Sequence, residues 1–307
     1  MNHAYNSSET SQAYEQFLAS EDGRIFREVI GNAFVYRISS VIPEFSALGK
    51  YPESSSKVIL DSGSTFAEAM TDMSGAGTTK QIAILDAGCG DGWLVGNITS
   101  KQYNNITIRG YGCDAGAPLI AHAQKQYPNA QFTVCDLNTT LPYKPEQFDV
   151  VCASMVLHDV ADETATLKNF STVLKPDGRI FASIVNPYYG YPIGEWKRGI
   201  LRKLLGWKPG LKLARAYNIL ARQQQPSFEW RPNLGSHFTP LSHHITAAKA
   251  AGLVLTSLTD LTSTTDSDTY NLTYQLHRFP IILLLEFSKA WNTNIQIGTN
   301  IPMNTNN

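Results

Sequence analysis

The feature that most constrains this chain is the segment 84–92, which has the sequence ILDAGCGDG. An apolar run ends in an acidic residue, Asp86, and glycines then stand at every second position. Glycine adopts backbone angles closed to other residues and places no side chain between the main chain and a ligand. A helix predicted to begin at Trp93 would direct its free N–H groups to the same place. The segment therefore predicts a strand, a tight loop and a helix N-terminus that together hold a ligand.

Short β-branched or apolar runs alternate with helical stretches from 81 to 185, which is typical of βαβ units and a mainly parallel sheet. A Lys-Pro-Asp-Gly sequence at 175–178 predicts a turn before the fifth strand. The predicted strands are 82–86, 107–113, 131–135, 148–153 and 179–185, followed by 253–258 and 281–287. The predicted helices are 93–100, 117–126 and 163–174, followed by 240–251. Together these elements predict an α/β fold with a seven-stranded, mainly parallel sheet.

The remaining segments predict additions to this core. Helical periodicity at 11–18 and 23–48 places helices before the sheet. A stretch rich in Ser, Thr and Gly follows and is interpreted as a linker. The predicted order is N-terminal helices (1–50), linker (51–80), cofactor-binding core (81–185), an inserted helical cap or substrate lid (186–235), the C-terminal part of the sheet domain (236–290) and a disordered tail (291–307).

The glycine spacing distinguishes two classes of cofactor. A dinucleotide fingerprint, G-x-G-x-x-G, needs its third glycine where Trp93 stands, so hydride transfer loses support. Residues 86–92 instead resemble the D-x-G-x-G-x-G motif of class I S-adenosylmethionine-dependent methyltransferases of the small-molecule type, with the motif positions occupied by Asp86, Gly88, Gly90 and Gly92. The resemblance implies a Rossmann-like fold and S-adenosylmethionine as cofactor, with Cys89 among the residues that line it.

Carboxylates at the ends of the next two strands agree with this resemblance. Asp114 ends the second strand, where a carboxylate can accept both ribose hydroxyl protons. Asp136 ends the third strand, where members of the family accept a hydrogen bond from the adenine amino group. Ala115 and Leu137 follow these two carboxylates and are expected to line the cofactor beside them.

The resemblance extends to the fourth and fifth strands. The sequence FDVVCASMVLHD at 148–159 is similar to the family's fourth strand and the turn after it, and it implies backbone contacts from Ser154 or Met155 below the methionine moiety. Residues 174–178 are similar to the L-x-P-G-G turn, with Asp177 in place of the first glycine. Each glycine alone could be an ordinary turn and each aspartate an ordinary helix cap. Their joint order along the chain favours a cofactor site.

Two histidines are candidate catalytic residues. Methyl transfer is an in-line displacement at an activated carbon, so the protein chiefly aligns the nucleophile and excludes water, and only some acceptors need a base. His158 follows the fourth strand and is the first candidate, with local packing as the alternative. His237 lies in the sequence SHFTPL, which is similar to the H-R-P-L segment of some small-molecule methyltransferases, although Phe238 and Thr239 depart from that pattern.

The predicted cap has the most unusual local composition in the chain. Residues 196–222 contain eight Lys or Arg residues and no acidic residue. Arg198 and Arg202 are candidate contacts for an anionic acceptor; a solvated amphipathic lid and a membrane surface that carries a lipid-like acceptor are the other interpretations. Tyr188 and Tyr189 follow the fifth strand, where aromatic rings can line the acceptor or contact the sulfonium through cation–π interactions, or simply pack in the cap.

Composition limits the classes of partner. The 307 residues carry a formal net charge of −1 with a pI near 6.7, so there is no global positive field for nucleic acid. The apolar run at 280–285 is far shorter than the roughly 20 residues of a membrane span, and no stable membrane insertion is expected. The N-terminus lacks a basic leader or apolar stretch, which predicts a cytoplasmic protein. The four cysteines lack CxxC spacing and are expected to be buried thiols, with no metal site.

These features predict an enzyme that transfers a methyl group from S-adenosylmethionine to a nitrogen or oxygen nucleophile of a small molecule, for example in secondary metabolism. A methyltransferase of protein or nucleic acid, and a cofactor-binding protein of this fold without methyl transfer, remain as alternatives. No target-reading domain is recognisable, and no N-P-P-Y type of signature follows the fourth strand. Both absences favour a small-molecule acceptor. The oligomeric state stays open.

Overall fold

A computed structural model describes residues 16–42, 57–58, 80–100, 106–187, 223–224, 237–263, 265 and 276–290. Most of the predicted cap and all of the predicted tail lie outside these residues. The helices are α1 (Glu21–Val41), α2 (Trp93–Thr99), α3 (Ala117–Gln126), α4 (Glu163–Val173) and α5 (Leu241–Ala250). The strands are β1 (Lys57–Val58), β2 (Lys80–Ala87), β3 (Ile106–Asp114), β4 (Ala130–Val134), β5 (Phe148–Ser154), β6 (Leu174–Val185), β7 (Gln223–Gln224), β8 (His237–Phe238), β9 (Leu253–Leu261) and β10 (Ile282–Lys289).

The main sheet has eight strands in the order β1-β9-β10-β6-β5-β2-β3-β4. Strand β10 runs antiparallel to both of its neighbours, and the remaining pairs of this sheet are parallel. The predicted seven-stranded, mainly parallel sheet is therefore confirmed. The eighth strand, β1, is two residues long, belongs to the segment predicted as a linker, and pairs with Asp260 and Leu261 at the edge. Strands β7 and β8 form a separate antiparallel pair.

Helices cover both faces of the sheet. Helix α1 contributes Ile25, Phe34 and Ile38 to an apolar cluster on one face, while α4 and α5 contribute residues such as Phe170 and Ala247 to the cluster on the other. Strand β10 is buried along its whole length, because helices cover the sheet on both faces. A strand buried in this way needs apolar side chains in both directions, as in the run Ile282–Leu285. Among the helices in the described ranges, none is both long and apolar enough to cross a bilayer.

Three predicted boundaries differ from the structure by three residues or more. Helix α1 ends at Val41 rather than at 48, since Ile42 is already extended and the next residue in the sequence is a proline, which disfavours helix continuation. Strand β6 begins at Leu174, so residues 175–178, predicted as a turn, belong to an irregular strand start where the register with β5 shifts. Strand β9 continues to Leu261 because it gains ladder partners in both β1 and β10.

The chain reverses its direction of travel across the sheet between β2 and β5. From β2 it moves outward through β3 to β4, then returns to place β5 on the opposite side of β2. In open α/β sheets ligands bind outside the carboxyl ends of the strands at such a switch point. The loops that follow β2, β3, β4 and β5 therefore converge on one candidate site.

Candidate functional site

The loop after β2 is built on three glycines in left-handed conformations. The φ angles are 77° at Gly88, 54° at Gly90 and 78° at Gly92. The N–H groups of Gly88 and Cys89 both donate to the carbonyl oxygen of Cys113, at 2.7 and 3.0 Å, so the loop is held against the end of β3. Residues with a Cβ rarely adopt these angles, which explains why glycine stands at alternate positions.

Two of these glycines also permit close packing. A Cβ on Gly88 would lie 2.5 Å from a methyl carbon of Val156, and a Cβ on Gly92 would lie 2.6 Å from the ring of Phe132. Val156 follows β5 and Phe132 belongs to β4, so the loop is in contact with both neighbouring segments. The glycine loop therefore brings its main chain close to the point where the strand ends meet.

Asp114 connects two loops of the site. Its Oδ2 accepts the N–H of Gly90 at 3.0 Å, and its Oδ1 accepts the N–H of Gly116 at 2.8 Å. The predicted contact residue Ala115 lies between Asp114 and Gly116, inside the turn that this carboxylate closes. A carboxylate oxygen can accept more than one hydrogen bond, so an oxygen that already accepts an amide N–H can also accept a ligand hydroxyl.

Asp136 follows β4 and accepts hydrogen bonds from Asn138, which was not among the residues predicted for the site. Oδ1 of Asp136 accepts both the backbone N–H and the side-chain amide of Asn138, at 2.9 and 2.7 Å. Oδ1 of Asn138 accepts in turn from the backbone N–H groups of Ala161 and Asp162. Leu137 lies between them with a buried side chain. The Asp-x-Asn spacing favours an Asx turn, and this pattern could have identified Asn138 from the sequence.

Asp86 is a buried carboxylate with an unsatisfied oxygen. The residue is 1% exposed, its Oδ2 accepts the N–H of Val95 at 3.4 Å, and its buried Oδ1 has no hydrogen-bond partner among the residues that the structure describes. Burial, together with the nearby carboxylates of Asp114 and Asp91, raises the pKa of Asp86 to about 7. An unpaired buried oxygen is costly unless a ligand satisfies it, so this residue fits a site for a cationic ligand group.

The turn after β5 contains a strained residue. Met155 has a φ of 55°, an uncommon value for a residue other than glycine. Its N–H donates to the backbone carbonyl of Ser183 on β6 at 3.0 Å, which holds this conformation, while Ser154 ends β5 directly before it. Strain of this kind concentrates at functional sites. The structure thus places the two predicted contacts Ser154 and Met155 at the same edge of the sheet as Asp86.

Cys89 lies inside the glycine loop, and its thiol is buried, as expected for the cysteines of this chain. The side chain is buried, and its Sγ lies 2.9 Å from the position that a Cβ on Gly112 would take, so it packs against β3. Burial, and then the carboxylates of Asp86 and Asp114, raise the pKa of Cys89. All four cysteines are free thiols; Cys135 is half-buried and the other three are buried.

The two candidate catalytic histidines have different surroundings. His158 is buried in the turn after β5, with its Nε2 3.7 Å from Oδ1 of Asp159. The backbone of His237 forms β8 and pairs with Gln224. Of the predicted acceptor contacts, Tyr188, Tyr189, Arg198 and Arg202 lie outside the described residues.

A third histidine has a structural partner. His244 on α5 is buried, and its Nδ1 lies 2.6 Å from Oε1 of the buried Glu163 at the start of α4. His243 lies beside the same carboxylate, with its Nε2 3.8 Å from Oε2 of Glu163. This pair fixes α5 against α4 on one face of the sheet.

Known proteins are similar to this chain in the region that contains the candidate site. Residues 85–182 match the family described as methyltransferase domain. The chain is 29% identical over 117 residues to ubiquinone biosynthesis O-methyltransferase of Aeromonas salmonicida, covering 38% of this chain and 48% of that protein. It is 28% identical over 167 residues to malonyl-[acyl-carrier protein] O-methyltransferase of Halalkalibacterium halodurans, covering 53% of this chain and 57% of that protein. The chain thus spans about half the length of these curated relatives.

A solved structure shares the fold over a longer stretch. An S-adenosylmethionine-dependent methyltransferase from Mesorhizobium loti superposes with a TM-score of 0.54 at 20% identity, covering 69% of this chain and 93% of the other. At this level of identity the similarity shows a common Rossmann-like architecture.

Proposed function

We propose that this chain, which carries a methyltransferase domain of the class I, S-adenosylmethionine-dependent type, transfers a methyl group from that cofactor to an oxygen or nitrogen nucleophile of a small molecule. The observation that carries the proposal is the hydrogen-bonded junction of the loops after β2 and β3 at the switch point of the sheet. There Asp114 accepts the N–H of Gly90, and the buried Oδ1 of Asp86 has no partner among the described residues.

The cofactor has groups that suit each carboxylate. Asp114 would accept the ribose hydroxyls at the end of β3, since a carboxylate oxygen can accept a second hydrogen bond besides the one from the amide of Gly90 or Gly116. Asp136, whose Oδ1 already accepts from Asn138, would accept the adenine amino group. Asp86 would compensate the positive charge of the methionine end, because an opposite charge favours the ionised form of a buried carboxylate.

Bound S-adenosylmethionine supplies an activated methyl group, and the chain aligns the acceptor with it. The acceptor's lone pair would form the bond to the methyl carbon while the sulfur leaves with the electron pair of the carbon–sulfur bond, and a hydroxyl acceptor would also have to lose its proton. His158, buried in the turn after β5, is the proposed base for that proton, and His237 is the second candidate. Buried surroundings exclude water, and the electrostatic interactions at the reacting atoms are stronger as a result.

The acceptor is proposed to be a small molecule, and an oxygen nucleophile is favoured. Both named relatives are O-methyltransferases. The basic composition of 196–222 favours an anionic acceptor that Arg198 and Arg202 would contact, with Tyr188 and Tyr189 beside it. We further propose, from the N-terminal sequence and the net charge of −1, a cytoplasmic enzyme, for example of secondary metabolism, whose acceptor is not a nucleic acid.

The test uses the full chain with S-adenosylmethionine labelled on its methyl group. The protein is incubated with a cell extract divided into small-molecule, protein and nucleic-acid fractions, and mass spectrometry locates the label. Label in a small molecule, lost in an Asp114→Ala variant, is expected. Label in protein or nucleic acid would contradict the small-molecule acceptor, and cofactor binding without transfer to any fraction would contradict the enzymatic proposal.

A further inference from the structure

Helix α1 reaches the glycine loop through one arginine. A guanidinium N–H of Arg27 donates to Oδ2 of Asp91 at 2.6 Å, and the guanidinium carbon lies 5.5 Å from the ring centre of Trp93. The side chains of Arg27 and Asp91 are 21% and 22% exposed, so the pair is largely shielded from solvent. A planar guanidinium can make both contacts at once, whereas an ammonium group is a compact point charge.

The packing around this arginine is also specific. Gly31, one helical turn after Arg27, leaves room for the Trp93 ring, since a Cβ there would lie 2.3 Å from Cη2 of the ring. Residues four apart lie on the same face of a helix, so Arg27 and Gly31 form one surface. This surface covers Trp93, the first residue of α2 and the end of the glycine loop.

Asp91 transmits the contact to the cofactor site. It stands between Gly90 and Gly92, which both have left-handed backbone angles, and its Oδ1 lies 3.4 Å from the backbone nitrogen of Trp93. The N–H of Gly90 is the group that donates to Asp114. A restrained Asp91 side chain therefore also restrains the backbone N–H of Gly90. This N–H donates to Asp114, the proposed partner of the ribose.

We propose that Arg27 is a positioning residue of the cofactor site, which orders the glycine loop through Asp91 and Trp93. Because ordering a loop before binding removes an entropic cost from the binding step, docking of α1 and binding of the cofactor stabilise each other. The identity of the ligand rests on the proposed function. The matched domain begins at residue 85, so this contribution comes from outside the part of the chain that the family covers.

Helix α1 also provides a matched control. Arg24 is on the same helix, pairs with Glu28 at 3.2 Å, and the two side chains are 64% and 42% exposed. Replacing Arg24 with Met removes the same charge and a similar side-chain volume without touching the loop. Differences between Arg27→Met and Arg24→Met therefore report on the loop contact rather than on the net charge of the helix.

The first measurement is calorimetric titration with S-adenosylhomocysteine. Arg27→Met is expected to weaken binding about fivefold to tenfold, and Arg24→Met less than about twofold, as for an exposed pair. Arg27→Lys should recover part of the loss because it retains the charge. Adding Asp91→Asn to Arg27→Met should cost little more, since the two residues act as one unit. Equal affinities in Arg27→Met, Arg24→Met and the wild type would overturn the positioning role.

The second measurement needs no ligand. Hydrogen–deuterium exchange of the amides in 88–95 is expected to be faster in Arg27→Met than in Arg24→Met or the wild type. If the wild type does not bind S-adenosylhomocysteine, the proposed function fails, and the exchange rates alone decide the positioning role: equal rates overturn it. If Arg27→Met does not fold, Asp91→Asn takes its place, and wild-type affinity and exchange in that variant would overturn the proposal.

Discussion

Asp114 and Gly90 are joined across two loops, with Oδ2 of the aspartate accepting the glycine N–H at 3.0 Å. The other oxygen of Asp114 accepts the N–H of Gly116 at 2.8 Å. One carboxylate therefore closes the turn after β3 and fixes the loop after β2. The same carboxylate is the proposed partner of the ribose, so its structural and ligand-binding roles have to be separated by experiment.

Asp114→Ala is expected to weaken binding of S-adenosylmethionine and its demethylated product by tenfold or more. Hydrogen bonds to a charged group are worth about 1.5–3 kcal/mol each, and two are lost with the ribose. Two backbone amides also lose their acceptor, so the free energy of unfolding should fall by about 1–3 kcal/mol. Calorimetry and urea denaturation give the two quantities. Unchanged affinity in a folded Asp114→Ala variant would refute the ribose assignment.

Gly90→Val is expected to abolish cofactor binding while the protein still folds. At a φ of 54° a β-branched residue is strained, and its side chain would enter the space beside the ligand. Gly252→Val is the matched control, because Gly252 has a φ of 74° and a Cβ there would meet no atom of the described residues within 4 Å. Gly252 lies between α5 and β9, at the other end of the strands. Both variants should lose stability, but only Gly90→Val should lose binding in a titration.

The raised pKa of Asp86 predicts a pH dependence of stability. In the unfolded chain this carboxyl titrates near its ordinary value of 3.8, and in the folded protein near 7. Between these values the folded state retains a proton that the unfolded state has released, so the free energy of unfolding falls as the pH rises from about 4 to about 7 and levels off above that. Each pKa unit corresponds to about 1.4 kcal/mol.

Asp86→Asn should remove this component. The variant is expected to show a flatter pH profile of the unfolding midpoint in the ligand-free protein, together with weaker cofactor binding. Asp177→Asn, which removes an exposed carboxylate, serves as the control and should retain the wild-type slope. A profile of Asp86→Asn that is parallel to that of the wild type would show that Asp86 does not carry the effect.

Charge reversal at Arg198 and Arg202 is expected to raise the KM for an anionic acceptor and to leave cofactor affinity nearly unchanged. The segment follows β6, whose carboxyl end lies at the edge of the sheet where ligands bind. Exposed charges are screened over about 8 Å at physiological ionic strength, so the difference should fade as salt is added. Steady-state kinetics at low and high salt provide the measurement. Loss of cofactor binding in these variants would instead indicate a structural role for the segment.

The sequence by itself determined the alternation of strands and helices and the position of the glycine loop. Both are local properties, because strand and helix periodicity and the backbone freedom of Gly90 depend on neighbouring residues along the chain. It also predicted that Asp114 and Asp136 face one site, since Asp114 ends one parallel strand, Asp136 follows the next by two residues, and the carboxyl ends of these strands converge. The ends of α1 and β9 and the start of β6 were less predictable, because ladder partners and packing set such boundaries.

Only the tertiary structure decided which residues act on the site from a distance. Arg27 is 64 positions from Asp91 in the sequence, and nothing in the local pattern of α1 connects the two. The hydrogen bonds that Asn138 accepts from the N–H groups of Ala161 and Asp162 connect the loop after β4 with the loop before α4. The pKa of Asp86 likewise depends on burial by separate elements and on Asp114. These effects arise from contacts that exist only after the chain has folded, because burial and charge proximity are properties of the packed sheet and helices.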